Sequence, residues 1–76
     1  MTQSEGEATL VVDARGMRCP WPALRLARAM RDATDVLLIA DDPQAGREVA
    51  ALADEHGWLV EAESAVDNAG RWRVRR

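Results

Sequence analysis

Val36-Leu37-Leu38-Ile39-Ala40 is a continuous apolar run of strand length near the middle of a 76-residue chain. Five aliphatic residues in succession suit a strand covered on both faces, hence a central one. Just upstream, Asp32-Ala33-Thr34-Asp35 has turn composition. Before that turn, Pro22 to Arg31 reads as a helix, with Ala23, Leu26, Ala27 and Met30 on one face at helical spacing. Arg25, Arg28 and Arg31 follow at i+3 steps on another face, bordered by Leu24. Further upstream, Thr9-Leu10-Val11-Val12-Asp13 is a second aliphatic run, read as a strand with both faces at least partly covered and ended by Asp13. Asp13 also has the side chain to organise the turn that follows it. A strand, a helix and a second strand make a crossover unit, which is parallel and right-handed by rule.

On the C-terminal side, Asp41-Asp42-Pro43 reads as a helix start, with Asp42 as N-cap and Pro43 as first helical residue. Ala45, Val49, Leu52 and Ala53 then recur as one apolar stripe, while Arg47, Glu48, Asp54 and Glu55 form the polar face. His56 falls in the last turn, where a cation suits the helix end, and Gly57 is a ready C-terminal cap. Trp58 to Glu63 alternates, directing Trp58, Val60 and Ala62 to the core. Asp67-Asn68-Ala69-Gly70 is a hairpin turn signal. Arg71-Trp72-Arg73-Val74-Arg75 alternates strictly, with Trp72 and Val74 inward and a solvated basic face outward. The order β-α-β-α-β-β predicts an α/β fold: a two-layer sandwich of a four-stranded mixed sheet with two helices on one face.

One domain, residues 9–76, is all that this length accommodates. Residues 1–8 are polar and acidic and are expected to be a disordered tail. They contain no apolar signal core, and no stretch approaches the roughly 20 apolar residues of a membrane span. A cytoplasmic protein with a reduced thiol and no membrane association is therefore expected. A single cysteine rules out an internal disulfide, and Cys19 with His56 is too small a set of soft ligands for zinc. All ten basic residues are arginine, so Schiff-base chemistry has no lysine to use. The net charge of −3 argues against direct nucleic-acid binding.

Chemistry concentrates in Arg18-Cys19-Pro20-Trp21-Pro22. Proline at 20 keeps Cys19 out of helical geometry, and Pro20 and Pro22 suit a first helical turn. Cys19 should then sit at a helix N-terminus beside Arg18 and near Arg15, an arrangement that lowers a thiol pKa and favours a nucleophilic thiolate. The bland reading, a small buried hydrophobe, is common for free cysteines. Trp21, between two prolines, is expected to be partly exposed. It would either pack over the sheet rim or anchor a partner. The arginine face of the first helix is either a solvated stripe or a docking surface for acidic partners.

Asp13-Ala14-Arg15-Gly16-Met17-Arg18-Cys19-Pro20-Trp21-Pro22, followed by Asp41-Asp42-Pro43, resembles the TusA/SirA-like family of small sulfur-transfer proteins. The shared marks are Asp-x-x-Gly-x-Arg, Cys-Pro-x-Pro and the second Asp-Asp-Pro, and the likeness runs from about Leu10 to the C-terminus. The resemblance implies the same two-layer fold. It also implies a sulfur carrier whose Cys19 takes a persulfide from a cysteine desulfurase or rhodanese-like donor and relays it to an acceptor protein. The implied downstream uses include tRNA 2-thiouridine formation, cofactor assembly and sulfur oxidation or import. Asp13, Gly16, Arg18, Pro20 and Pro22 would support the thiol. Trp21, Arg25, Arg28, Arg31 and Asp42 would meet partners. The expected cofactor is none beyond the transient persulfide, and the expected state is a monomer that relays sulfur rather than a stand-alone enzyme. Trp21 and Ala27 depart from the family pattern where partner choice is set. Two other readings remain open: a non-catalytic regulatory or interaction domain with a redox-sensing cysteine, and an RNA-binding module using Arg71, Arg73, Arg75 and Arg76.

Overall fold

The computed structural model describes residues 9–76; the tail expected over residues 1–8 lies outside them. Strands β1 (Leu10–Asp13), β2 (Asp35–Ala40), β3 (Leu59–Val66) and β4 (Ala69–Arg75) form one sheet in the order β1-β2-β4-β3. Helices α1 (Trp21–Ala29) and α2 (Ala45–His56) alternate with them in the expected sequence. β1 pairs parallel with β2, and β2–β4 and β4–β3 are antiparallel, so the sheet is mixed. The long run that reads as a central strand is central, flanked by β1 and β4.

Register explains which residues meet the helices. Val36 and Leu38 of β2 stand opposite Val74 and Trp72 of β4, and Leu10 and Val12 of β1 stand opposite Val36 and Leu38. Val12, Val36, Leu38 and Val74 join Leu26, Met30 and Val49 from the helices in one buried cluster. Fully burying one such side chain contributes about 1.5–3 kcal/mol.

Several local expectations are corrected. Among the described residues β1 is an edge strand: Val11 is 57% exposed and only Val12 is buried, because no described strand pairs with its outer side and the helices cover one face. β3 is the opposite edge, where Trp58 and Val60 pack partly against the core but Ala62 is exposed. α2 begins later than Asp42, with Gln44 at the N-cap position. Pro43 and Gln44 form a turn instead, in which the Ala45 N–H donates to the Asp42 carbonyl oxygen at 3.0 Å and the Gln44 N–H to Asp42 Oδ2 at 3.1 Å. α1 starts one residue early and ends at Ala29, with Met30 as its C-cap, its N–H still donating to the Leu26 carbonyl oxygen at 2.9 Å. The hairpin turn is Asp67–Asn68, both at positive φ, and Ala69 and Gly70 already belong to β4. The basic face of β4 is partly neutralised, since Arg73 pairs with Asp35 and Arg75 with Glu61, both at 2.7 Å.

Candidate functional site

Cys19 lies at the carboxyl ends of the parallel strands β1 and β2, the end where crossover folds commonly place ligands and chemistry. The loop carrying it is tied down at successive points. The Ala14 N–H donates to the Ile39 carbonyl oxygen at 2.7 Å, which extends the β1–β2 pairing by one residue. The Met17 N–H then donates to the Ala14 carbonyl oxygen at 3.2 Å, closing a turn whose third residue is Gly16 at φ +83°. A glycine adopts that conformation without steric cost. The Gly16 N–H donates to both Asp41 carboxylate oxygens, at 3.0 and 3.2 Å, so the end of β2 holds the loop after β1.

The next turn presents the sulfur. The Trp21 N–H donates to the Arg18 carbonyl oxygen at 2.8 Å across Cys19 and Pro20, which are joined by a cis peptide bond. Pro20 is the N-cap position of α1, and the Leu24 N–H donates to its carbonyl oxygen at 3.1 Å. Pro22 is buried in the first helical turn, so both prolines serve the helix start as their geometry suggests. Cys19 is half-buried immediately before the cap.

The electrostatics reverse the expectation of a standing thiolate. The nearby Glu48 carboxylate, then burial, and last the charge of Asp42 push the Cys19 thiol above its ordinary range. Arg15 does not oppose this, because Asp13 holds it: Asp13 Oδ1 accepts the Arg15 Nε–H at 2.9 Å and Oδ2 a guanidinium N–H at 2.7 Å. The Asp13 Oδ1 also accepts the Arg15 backbone N–H at 3.1 Å. That grip lowers the Asp13 carboxyl to about 2. Asp13 therefore serves turn architecture, and Arg18 remains an exposed neighbour of the sulfur.

Trp21, Arg25 and Arg28 come together with Val12, Leu24 and Ala29 around a groove of about 510 Å3 between β1 and α1. Trp21 is 59% exposed and Leu24 50%, so the groove has an apolar lip and a cationic wall. Arg31 joins Leu24, Ala27 and Arg28 around an adjoining hollow. Asp42 stands apart from this set, on the acidic side of the thiol. His56 stacks on Trp58 with ring centroids 4.5 Å apart, a packing role that fits its place at the helix end. Two residues around the sulfur's loop were not named as site residues from sequence: Asp41, read as part of a helix start and of the Asp-Asp-Pro mark, which holds the Gly16 N–H, and Glu48, read as polar face, which acts on the thiol. The available signal was position, since Glu48 adjoins the buried stripe of α2 and is itself half-buried.

Residues 10–76 match the family described as sulfurtransferase TusA. The chain belongs to the TusA family. Membership supports a sulfur-carrier or sulfurtransferase role in general, and proteins of the TusA family work with sulfur-transfer partners. The solved SirA-like protein of Desulfitobacterium hafniense superposes on this TusA-family chain with a TM-score of 0.80 at 18% identity. The match covers 87% of this chain and 95% of the other, and speaks for the shared fold. Among the described residues, no helix is long and apolar enough to cross a membrane.

Proposed function

We propose that this protein carries sulfur as a persulfide on Cys19, taking it from a donor enzyme of the cysteine desulfurase or rhodanese kind and passing it to an acceptor protein. The observation that carries the reading is the sole cysteine, half-buried on a tied-down turn at the carboxyl ends of the parallel strands of a TusA-family fold. In loading, the bond between the donor's cysteine sulfur and its sulfane sulfur breaks, and a bond from the sulfane sulfur to Cys19 Sγ forms. The donor leaves as a thiol. One persulfide and one thiol are exchanged for another such pair, so no oxidant and no second cysteine are required. A half-buried sulfur reached over an open surface suits a substrate that arrives on another protein.

Asp13, Gly16, Arg18, Pro20 and Pro22 would act by fixing the loop and helix start around the sulfur. Trp21, Arg25, Arg28 and Arg31 would receive an acidic partner surface with an apolar anchor. Thiolation of tRNA in the cytoplasm is the downstream use that the family likeness favours, with the acceptor protein meeting the RNA. The redox-sensor alternative is weaker, because sensor cysteines are exposed and low in pKa, whereas acids flank Cys19.

The direct test is intact-protein mass spectrometry after incubation with a cysteine desulfurase and cysteine, without reductant. The wild type is expected to gain one sulfur atom that dithiothreitol removes, and Cys19→Ala none. Wild type that stays unmodified with both donor classes, while still reacting with iodoacetamide, would rule the carrier reading out.

A further inference from the structure

The two edges of the sheet differ in how they meet a further strand. β3 shifts register between Glu63 and Val66 and carries the exposed Glu61 and Glu63, features that discourage pairing. β1 is regular. Leu10-Val11-Val12-Asp13 holds no proline and no lysine, pairs with β2 without a break, and has one charge, Asp13, which Arg15 matches. Among the described residues no strand covers its outer side. The Ala14 N–H donates to the Ile39 carbonyl oxygen of β2. N–H groups alternate in direction along a strand, so those of Leu10 and Val12 also face β2, while those of Val11 and Asp13 face away from the sheet. Beside that edge runs the groove of about 510 Å3 between β1 and α1, with Trp21 and Leu24 as its apolar lip and Arg25 and Arg28 as its cationic wall. Among the described residues neither arginine makes an ion pair. On the opposite face of the strand, Val11 is exposed beside its register partner Leu37.

We infer that an extended segment of a partner protein, acidic at alternate positions and apolar between them, adds to the open edge of β1 as a further strand. It lies about 4.8 Å from β1 and accepts hydrogen bonds from the Val11 and Asp13 N–H groups. Its acidic side chains enter the groove and meet Arg25 and Arg28, and its apolar ones cover Val11 from the other face. Three observations select this occupant. The open edge calls for extended backbone rather than a helix, the unpaired arginines call for carboxylates, and the exposed Val11 calls for an apolar side chain at the next position. A second copy of the chain fits less well. Its own β1 would turn Leu10 and Val12 to the groove and bring the arginines no acid on that face. The place suits a carrier, because β1 runs into the turn that bears Cys19 and Trp21 follows that cysteine by two residues. The inference deepens the carrier reading above by giving the partner a mode of attachment, and rests on that reading only for who the partner is.

The probe is a short acetylated and amidated peptide of alternating glutamate and valine, titrated into the isotope-labelled full chain and followed by amide NMR. In the free protein the Leu10 and Val12 amides should exchange slowly with solvent and those of Val11 and Asp13 fast. Near saturation with peptide, exchange at Val11 and Asp13 should slow about tenfold. Two N-methylated peptides separate strand pairing from charge alone. Methyl groups on the glutamate nitrogens block one edge of the added strand and those on the valine nitrogens block the other, so one form should bind and the other should not. Val11→Pro removes an N–H that β2 does not use, and should abolish binding while keeping most of the melting temperature. Arg25→Glu with Arg28→Glu should weaken binding about tenfold at low salt. Methylated forms that bind alike overturn the inference, and so does a peptide that disturbs no amide. Shifts at Trp21, Arg25 and Arg28 without slowing at Val11 and Asp13 also overturn it, since the partner would then meet side chains of α1 alone. Slow exchange at Val11 and Asp13 in the free protein sinks it too: at every protein concentration the chain's own residues hold the edge, and only at high concentration a second copy does. No sulfur enters this assay, so its failure leaves the carrier reading standing, and a chain that takes no sulfur can still pass it.

Discussion

Asp13 and Arg15 show how a single residue pair changes the chemistry read at Cys19. By sequence, Arg15 is a cation four positions from the sulfur. In the fold its guanidinium lies against Asp13 at 2.7 Å, so its charge is matched locally. Two consequences are measurable. The Asp13 carboxyl should titrate near 2 in a carbon-detected NMR experiment, and Arg15→Ala should return it to the ordinary carboxylate range. Because the folded carboxyl is depressed, its contribution to stability is present above the ordinary carboxylate pKa and is lost as the pH falls towards about 2. The same Arg15→Ala change should leave the rate of Cys19 alkylation at neutral pH unaltered. A marked slowing would mean that Arg15 supports a thiolate after all. At the residue scale, then, the sulfur answers to Glu48 and Asp42 rather than to the arginines that precede it.

The elements are held in place by a tryptophan between two glycines. Trp72 of β4 lies back along its own strand over Gly70 and beneath Gly46 of α2, joining the sheet to the helix that carries Glu48. A Cβ added at Gly70 would lie 2.8 Å from Trp72 Cζ2 and closer still to Cη2, so the indole must move. At Gly46 the corresponding approach is 3.2 Å, a smaller conflict. Overpacking of this kind costs about 1–3 kcal/mol. Gly70→Ala is therefore expected to lower the Tm by roughly 5–20 °C, at about 4–8 °C per kcal/mol for a domain this small. Gly46→Ala should lower it less, and equal melting points for the two variants would sink this account of the Trp72 seat. Neither glycine was predictable as a contact, because the clash depends on where the ring lies and not on residue spacing. The same limit explains what else was hidden. The strand β2, the stripe Ala45-Val49-Ala53 and the Asp67–Asn68 turn are legible because local periodicity and turn chemistry decide them. The edge position of β1 is not, since an aliphatic run of three reads alike whether or not a neighbour covers its outer side. Asp42 reads as a cap by type, yet Pro43 and Gln44 turn before the helix begins and move the cap to Gln44. Cys19 was legible as the candidate nucleophile; its acidic surroundings were not, because Glu48 comes near it only through the packing of α2 on α1.

Across the whole molecule, charge is sorted around the sulfur rather than spread evenly. Arg25 and Arg28 line the groove on the β1 side of α1, while Glu48 and Glu55 line the hollow on its α2 side. With a net charge of −3, the molecule as a whole does not attract an acidic partner, so attraction must come from the local cationic wall. Reversing that wall with Arg25→Glu and Arg28→Glu should weaken donor docking without unfolding the protein, as both side chains are exposed and make no core contacts. The expected result is a half-saturating donor concentration for sulfur loading raised about tenfold or more at low salt, with an unchanged limiting rate. The gap should narrow as salt is added, because screening shortens the reach of exposed charges to about 3 Å near 1 M ionic strength. Trp21→Ala should weaken docking too, but with little salt dependence, since it removes apolar contact rather than charge. Arg73→Ala and Arg75→Ala supply the contrast. Their guanidinium groups are matched by Asp35 and Glu61 on the far side of the sheet, so donor docking should be unchanged even where stability falls. If those β4 arginines, and not the pair on α1, govern the salt-dependent step, then the donor approaches the open sheet face, and the groove beside Trp21 is not its docking site.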